Sequence, residues 1–487
     1  MLFNSIDFAI FLPVVFTFYW FVFSHNLKAQ NFFILITSYV FYGWWDWKFL
    51  SLIILSTLLD YSVGRALASQ ENITKRKLLL SLSLLGNLGV LAFFKYYNFF
   101  VNSFVDAFSF FGSDINAGTL TIILPVGISF YTFQTLSYSI DVYRKKLEPT
   151  QDLIAFAAFV TFFPQLVAGP IERATNLLPQ FFRKRVFDVS KASDGLRQIL
   201  WGLFKKIVIA DNCAIYANAI FNNSDEYNGS TLFLGALFFA FQIYGDFSGY
   251  SDIALGTSRL LGFDLMQNFA FPYFSRNIAE FWRRWHISLS TWFRDYLYIP
   301  LGGSKGGWGM KVRNVFIIFL VSGFWHGANW TFIVWGALHA LYFLPLLLIR
   351  KNRTYMDIVT QGKIFPSLGE LVSIATTFSL TTFAWIFFRA ESVGHALSYV
   401  GNMFNGLFNA SNLRETFTFI TESVGGVRLC LFALFFIVEW FGRENRYAIE
   451  NLFTSRSRPI RWAFYYSIII ITILYGGIEQ EFIYFQF

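Results

Sequence analysis

Long apolar stretches recur from one end of this chain to the other, and they narrow its possible folds more than any other feature. They lie at 8–23, 31–45, 50–67, 78–100, 120–142, 196–221, 231–261, 330–348, 371–388, 427–440 and 462–476. Crossing hydrocarbon takes about 20 apolar helical residues, so these runs predict about ten or eleven membrane spans. The composition agrees, with 55% hydrophobic and only 14% charged residues, far from a soluble globular protein. Strands of an outer-membrane barrel alternate apolar and polar residues over about ten positions, and these runs do not. The expected fold is all-α and polytopic, a single integral membrane domain over 1–487. The opening MLFNSIDFAIFLPVVF has no basic leader and no small-residue cleavage pattern, so it is expected to be an uncleaved first span.

The formal net charge of +8 does not point to nucleic acid, because the cations sit in clusters between the spans. Lys75–Lys77, Arg144–Lys146, Arg183–Arg185, Arg350–Arg353 and Arg456–Arg461 are such clusters, whereas the stretches 106–114 and 225–226 are acidic. This is the positive-inside signature, and it puts both termini on the extracytoplasmic side. No nucleic-acid partner is expected. Cys213 and Cys430 define neither a disulfide framework nor a zinc site.

Three regions resist description as simple spans. Residues 153–182 are apolar but broken by Pro164, Gly169 and Pro170, with basic clusters on both sides. Such irregular backbone is tolerated only where protein covers it or it lines a cavity, so a re-entrant segment is predicted. Residues 263–311 interleave Arg276, Arg283, Arg284 and Arg294 with aromatics, the pattern of helices at the membrane surface. Residues 314–329 form the third region. Ten residues from Asn314 to Gly323 make about 15 Å of helix, half the hydrocarbon thickness. A second re-entrant piece would thus hold His326 near mid-membrane.

His326 is the leading candidate. From Arg313 to Arg350 no other strongly charged residue occurs, and Ser322, Gly323 and Gly327 surround the histidine with small side chains. An ionisable group at membrane depth is costly and is by default a functional hypothesis. As a neutral imidazole it suits general-base work, although a hydrogen-bonded histidine between helices is the plainer alternative. Asn329 and Trp330, in the same turn, are candidate donors to a developing oxyanion. For His339, deep in an apolar helix, a structural role is preferred.

His286 lies in EFWRRWHISLSTWF. On a continuous helix Arg283, His286 and Ser290 would share one face, and His286 would line a donor entrance. Arg283 and Arg284 weigh evenly between a headgroup anchor and a site for donor phosphates. Asp246 and Asp252, in YGDFSGYSDIALG, need buried partners; Arg173 and Arg294 are candidates, and Gly245 and Gly249 are expected to break the helix between them. A structural polar role is favoured for both carboxylates. Glu172 and Arg173, in GPIER, cap a helix or position a polar donor. The glycine-rich LGGSKGGWG lacks P-loop spacing and reads as a cytoplasmic loop. No metal-ligand pattern and no G-x-S-x-G elbow occur in the sequence. The chain offers a base without a nucleophile of its own, so the nucleophile would be an incoming hydroxyl.

Four longer motifs carry a family resemblance. YGDFSGYSDIALG at 244–256, NIAEFWRRWHISLSTWFRDYLYIPLGG at 277–303, SGFWHGANWTFIVWG at 322–336 and FAWIFFRA at 383–390 resemble the membrane-bound O-acyltransferases, and among them the alginate O-acetyltransferase-like branch. The resemblance runs from MLFNS to FIYFQF. It implies that His326 is the family's essential histidine and His286 its upstream partner position. It also implies tilted helices ringing a central funnel, with the donor reaching the histidine from the cytoplasm. The implied activity is O-acetylation of an exported polysaccharide such as alginate, with acetyl-CoA as donor substrate and no bound cofactor. The implied partner is an extracytoplasmic SGNH-type acetyltransferase protein, and the implied location the bacterial cytoplasmic (inner) membrane. Peptidoglycan O-acetylation and D-alanyl transfer to teichoic acid are alternatives within the resemblance, and a polysaccharide transporter or scaffold is the non-enzymatic one.

Overall fold

A computed structural model describes residues 1–110, 118–167 and 169–485. Helices make up nearly all the regular structure, and no strand occurs among the described residues. The fold is all-α and polytopic. Five helical stretches have the length and composition to cross a membrane: Leu27–Ser69, Ile73–Phe110, Gly229–Leu260, Trp330–Leu348 and Leu368–Arg389. A sixth arises if Ala410–Val424 and Gly426–Gly442, bent by 93°, count as one. That is fewer than the sequence predicts, for local reasons. The run 120–142 becomes helical only at Ile128, after Pro125 and a left-handed Gly127 (φ 73°). The run 196–221 is interrupted by a π-turn at Phe204–Ala210 that carries Lys205 and Lys206. Part of the acidic stretch ending at Asp114 lies outside the described residues.

The chain forms two compact units, 1–195 with 257–266, and 196–256 with 267–487. In the first, Ile128–Tyr143 is almost wholly buried. Asp60 ties its neighbours together, accepting hydrogen bonds from Ser83 (2.5 Å), Asn87 (2.7 Å) and Ser139 (2.5 Å). The apolar segment 153–182 breaks as its prolines and glycine dictate. Helix Leu153–Thr161 stops at Phe162, Phe163–Leu166 adds one turn, and a 3-10 turn follows at Leu178–Phe182. Protein covers Phe159, Phe162, Phe163 and Phe181 completely, as irregular backbone in an apolar setting requires.

The second unit holds His286, His326, His339 and His395. Its axis is Gly229–Leu260, a single helix of 32 residues, so Gly245 and Gly249 do not break it. They let the preceding segment approach instead: a Cβ on Gly202 would stand 2.6 Å from the Gly249 carbonyl oxygen. This close approach carries Lys205 and Lys206 to Asp252 and Asp246.

Residues 314–329 also differ from expectation. Trp308–His326 is one helix of 19 residues, about 28 Å long. It includes the basic Lys311 and Arg313, which the sequence reading left outside. After the turn 327–329, Trp330–Leu348 runs back against it. Gly323 and Gly336 permit the contact, because a Cβ on Gly323 would overlap the Phe332 carbonyl and one on Gly336 the Phe319 carbonyl. Gly323→Ala is therefore expected to destabilise the fold by about 1–3 kcal/mol, the range for overpacking. Thermal unfolding in detergent measures this, and an unchanged melting temperature would mean the hairpin is looser than described.

Candidate active site

His326 closes helix Trp308–His326 at the tip of the hairpin and is 3% exposed. Aromatic rings enclose it. Trp325 lies 4.9 Å away between ring centroids, Trp335 5.1 Å, Phe388 5.4 Å and Tyr484 5.6 Å. Trp335 is itself stacked on Trp385 at 5.6 Å, so the face presented to the imidazole is fixed by packing.

His286 joins this cluster, with its ring 6.3 Å from that of His326. It does not sit on one helix with Arg283 and Ser290, as the spacing suggested. Helix Ile278–Arg284 ends, His286 takes a left-handed conformation (φ 43°, ψ 56°), and Ile287–Phe293 begins. A non-glycine residue in that conformation costs about 1–2 kcal/mol and persists only when its surroundings impose it. Here the segment 268–270 does so: Ile287 N–H donates to Asn268 O (2.9 Å), Ala270 N–H to Arg284 O (3.0 Å), and Ser288 Oγ to Asn268 Oδ1 (2.6 Å). The break turns His286 inward against Phe247 at 4.7 Å.

A cavity of about 240 Å³ lies beside the hairpin, lined by neither histidine. Its wall is largely apolar, with Trp282, Phe293, Val315, Phe319 and Phe343, and it includes Ser290 and Ser322. Ser322 precedes His326 by four residues on the same helix, one turn along the same face. Arg294, Asn352 and Arg353 also line the cavity, and they come from two of the basic regions of the sequence.

Arg283 and Arg284 do not line that cavity. Arg283 donates to the carbonyls of Asn352 (2.9 Å) and Tyr355 (2.5 Å), and Arg284 to Glu280 (3.0 Å) and the Asp357 carbonyl (2.9 Å). With Arg276, which pairs with Asp357 at 3.0 Å, they brace the loop that carries Asn352 and Arg353. The Arg276 guanidinium holds the Asp357 carboxyl below the usual carboxylate range. A lowered value means this tether contributes above the unfolded carboxyl pKa of about 3.9 and is lost as pH falls through the folded value.

Asn329 caps helix Trp330–Leu348, accepting from Thr331 N–H (3.0 Å) and donating to the Glu391 carbonyl (2.8 Å). Trp330 is 55% exposed. Asp246 and Asp252 have lysine partners, not Arg173 or Arg294: Lys206 lies 2.8 Å from Asp246 and Lys205 2.6 Å from Asp252. Glu172 and Arg173 belong to the first unit. There Glu172 is buried and accepts from Asn176 (2.7 Å) and the Met266 N–H. His339 accepts from the Trp282 indole at 3.2 Å, in keeping with a structural role.

The rings about His326 were missed by sequence reasoning. Tyr484 lies far along the chain and its closing motif contains nothing ionisable at neutral pH. Trp335 and Phe388 lie in the motifs at 322–336 and 383–390, but one aromatic among many carries no local signal.

A family model for membrane-bound O-acyltransferases matches residues 147–369. The chain is 42% identical to the probable alginate O-acetylase AlgI of Pseudomonas syringae pv. tomato, over 84% of this chain and 75% of the relative. It is 34% identical to the peptidoglycan O-acetyltransferase of Helicobacter pylori, over 83% and 80%. With the teichoic acid D-alanyltransferase of Bacillus subtilis it shares 29% identity, over 55% and 70%. A multi-pass helical protein with two histidines in an aromatic enclosure, matched over most of its length by such relatives, belongs to the membrane-bound O-acyltransferase family and is an O-acyltransferase.

Proposed function

We propose that this enzyme transfers acetyl from acetyl-CoA, taken up on the cytoplasmic side, to hydroxyls of an exported polysaccharide, alginate or another cell-surface glycan. The observation that carries this reading is the cavity whose lining includes Ser322, one helical turn before His326. A mostly apolar passage with two serines suits the pantetheine arm of a thioester donor, and Arg294 and Arg353 suit its phosphates. His326 takes the proton of the acceptor hydroxyl as its oxygen attacks the thioester carbonyl. The C–S bond then breaks, the thiol leaves with a proton, and the ester remains on the acceptor. Base catalysis of this kind contributes about 10²–10⁴-fold. Orientation of the two substrates within a closed site supplies much of the remainder. The names of the relatives support acetyl over other acyl groups, because the more similar ones are O-acetylating enzymes. The enzyme would reside in the bacterial inner membrane and work with an extracytoplasmic SGNH-type partner.

Inverted membrane vesicles given radiolabelled acetyl-CoA test the donor. Label is expected in ester linkage, and a D-alanyl enzyme would leave it unused. Arg294→Gln with Arg353→Gln is expected to raise KM for acetyl-CoA by about tenfold with kcat little changed, the mark of lost ground-state binding. An unaltered KM would remove the phosphates from these arginines.

A further inference from the structure

After helix Arg458–Leu474 residues 475–481 are exposed or half-buried, and the chain becomes buried at Phe482 and Ile483. Backbone outside a helix or ladder still needs partners for its polar groups, and here buried side chains and neighbouring backbone supply several of them. Asn212 donates to Tyr475 O (2.9 Å), Gly477 N–H donates to Ile207 O (3.1 Å), and Lys206 donates to Gln480 O (3.0 Å). Ile483 N–H donates to Asp246 Oδ2 at 2.7 Å. Lys206 also stands 2.7 Å from Asp211 and 2.8 Å from Asp246, and these three side chains are 1–3% exposed. A buried group of two carboxylates and one ammonium is a poor way to gain stability, since apolar residues of like volume serve as well or better. What ions do that apolar residues cannot is recognise the polar backbone of a non-helical segment.

The segment so held ends at the reaction centre. Phe482 is fully buried and packs on Tyr250 at 4.5 Å, and the Tyr484 ring lies 4.4 Å from Phe247 and 5.6 Å from His326. We propose that Lys206, Asp211 and Asp246 form a latch for the C-terminal segment, and that Asp246 is a positioning residue acting on His326 through Tyr484. The proposal rests on the reading of His326 as the reaction centre. Asp246 touches neither substrate nor histidine; its carboxylate divides between an ammonium and one backbone N–H, and the second contact fixes Ile483, the neighbour of Tyr484.

Two variants attack that contact from opposite sides. Asp246→Asn removes the charge, and Ile483→Pro removes the N–H while leaving the cluster whole. Hydrogen–deuterium exchange of 476–485 is expected to quicken in both, with gel filtration verifying the fold, and Ile483→Pro carries the test should Asp246→Asn misfold. kcat is expected to fall by about 10- to 100-fold, the scale of loss when a reacting group drifts from its geometry. KM for the donor should change by less than about twofold. In a chain terminated after Tyr475, already slow, Asp246→Asn should cost nothing more. Unchanged exchange in Asp246→Asn, full activity of the terminated chain, or the same loss from Asp246→Asn in both backgrounds overturns the proposal. So does release of the tail with undiminished kcat, whereas a His326→Ala chain that keeps its kcat overturns instead the reading beneath it.

Discussion

Replacing His326 by Ala is expected to lower kcat for acyl transfer by about 10²–10⁴-fold, the usual contribution of a positioned general base. KM for the donor should change little, because Ser322 and the apolar cavity wall stay in place. His326→Gln is the informative companion. It refills most of the space among Trp325, Trp335 and Phe388 and cannot serve as a base, so it should lose nearly as much activity while unfolding at the parent temperature. A glutamine variant that retained activity would make the histidine a packing residue. The same substitution separates the non-enzymatic rivals in whole cells. A transporter would lose polymer export with ester content per sugar unchanged. A scaffold that only recruits another transferase would acetylate normally with alanine at 326.

The histidine was legible because it breaks a pattern. Between Arg313 and Arg350 it is one of two histidines in a long apolar stretch without Asp, Glu, Lys or Arg, and membrane proteins retain such groups for cause. The hairpin around it was only half legible. The turn at 327–329 was anticipated from Gly327 and Asn329, but the first arm was drawn too short because Lys311 and Arg313 were read as its end. They start the helix instead, at the level where basic side chains reach water. His286 shows the opposite failure. Its spacing from Arg283 and Ser290 fits one helix, and nothing in EFWRRWHISLS announces the left-handed break at His286. That break is imposed by 268–270, a contact no local pattern encodes. Asp246 and Asp252 were recognised as needing partners, yet Lys205 and Lys206 were hidden inside an apolar run. Gly245 and Gly249 carry the sequence signal of helix breakers, whereas Gly249 with Gly202 brings the two segments together.

Lys205→Met should be among the most destabilising single changes in the chain, at about 3–5 kcal/mol. Lys205 Nζ lies 2.6 Å from Asp252 and 2.9 Å from Ser248 Oγ, and its side chain is 4% exposed against 14% for Asp252. Removing the ammonium leaves a largely covered carboxylate that retains the Gln198 amide at 2.6 Å. One neutral donor does not offset the desolvation of a full charge. The double replacement Lys205→Met with Asp252→Leu takes away both charges and should recover most of the loss, because the penalty belongs to the stranded ion and not to the missing pair. Melting temperatures of the three proteins in one detergent decide the matter, at about 2–4 °C per kcal/mol for a unit of this size. If the single and double variants melt alike, water reaches Asp252 and the pair is not sealed. Specific activity per folded molecule supplies the second half of the argument. Lys205 and Asp252 serve to hold Phe204–Ala210 against the long helix, so whatever fraction of Lys205→Met folds should keep its kcat. A loss of kcat in the folded double variant would instead bring this pair into the chemistry.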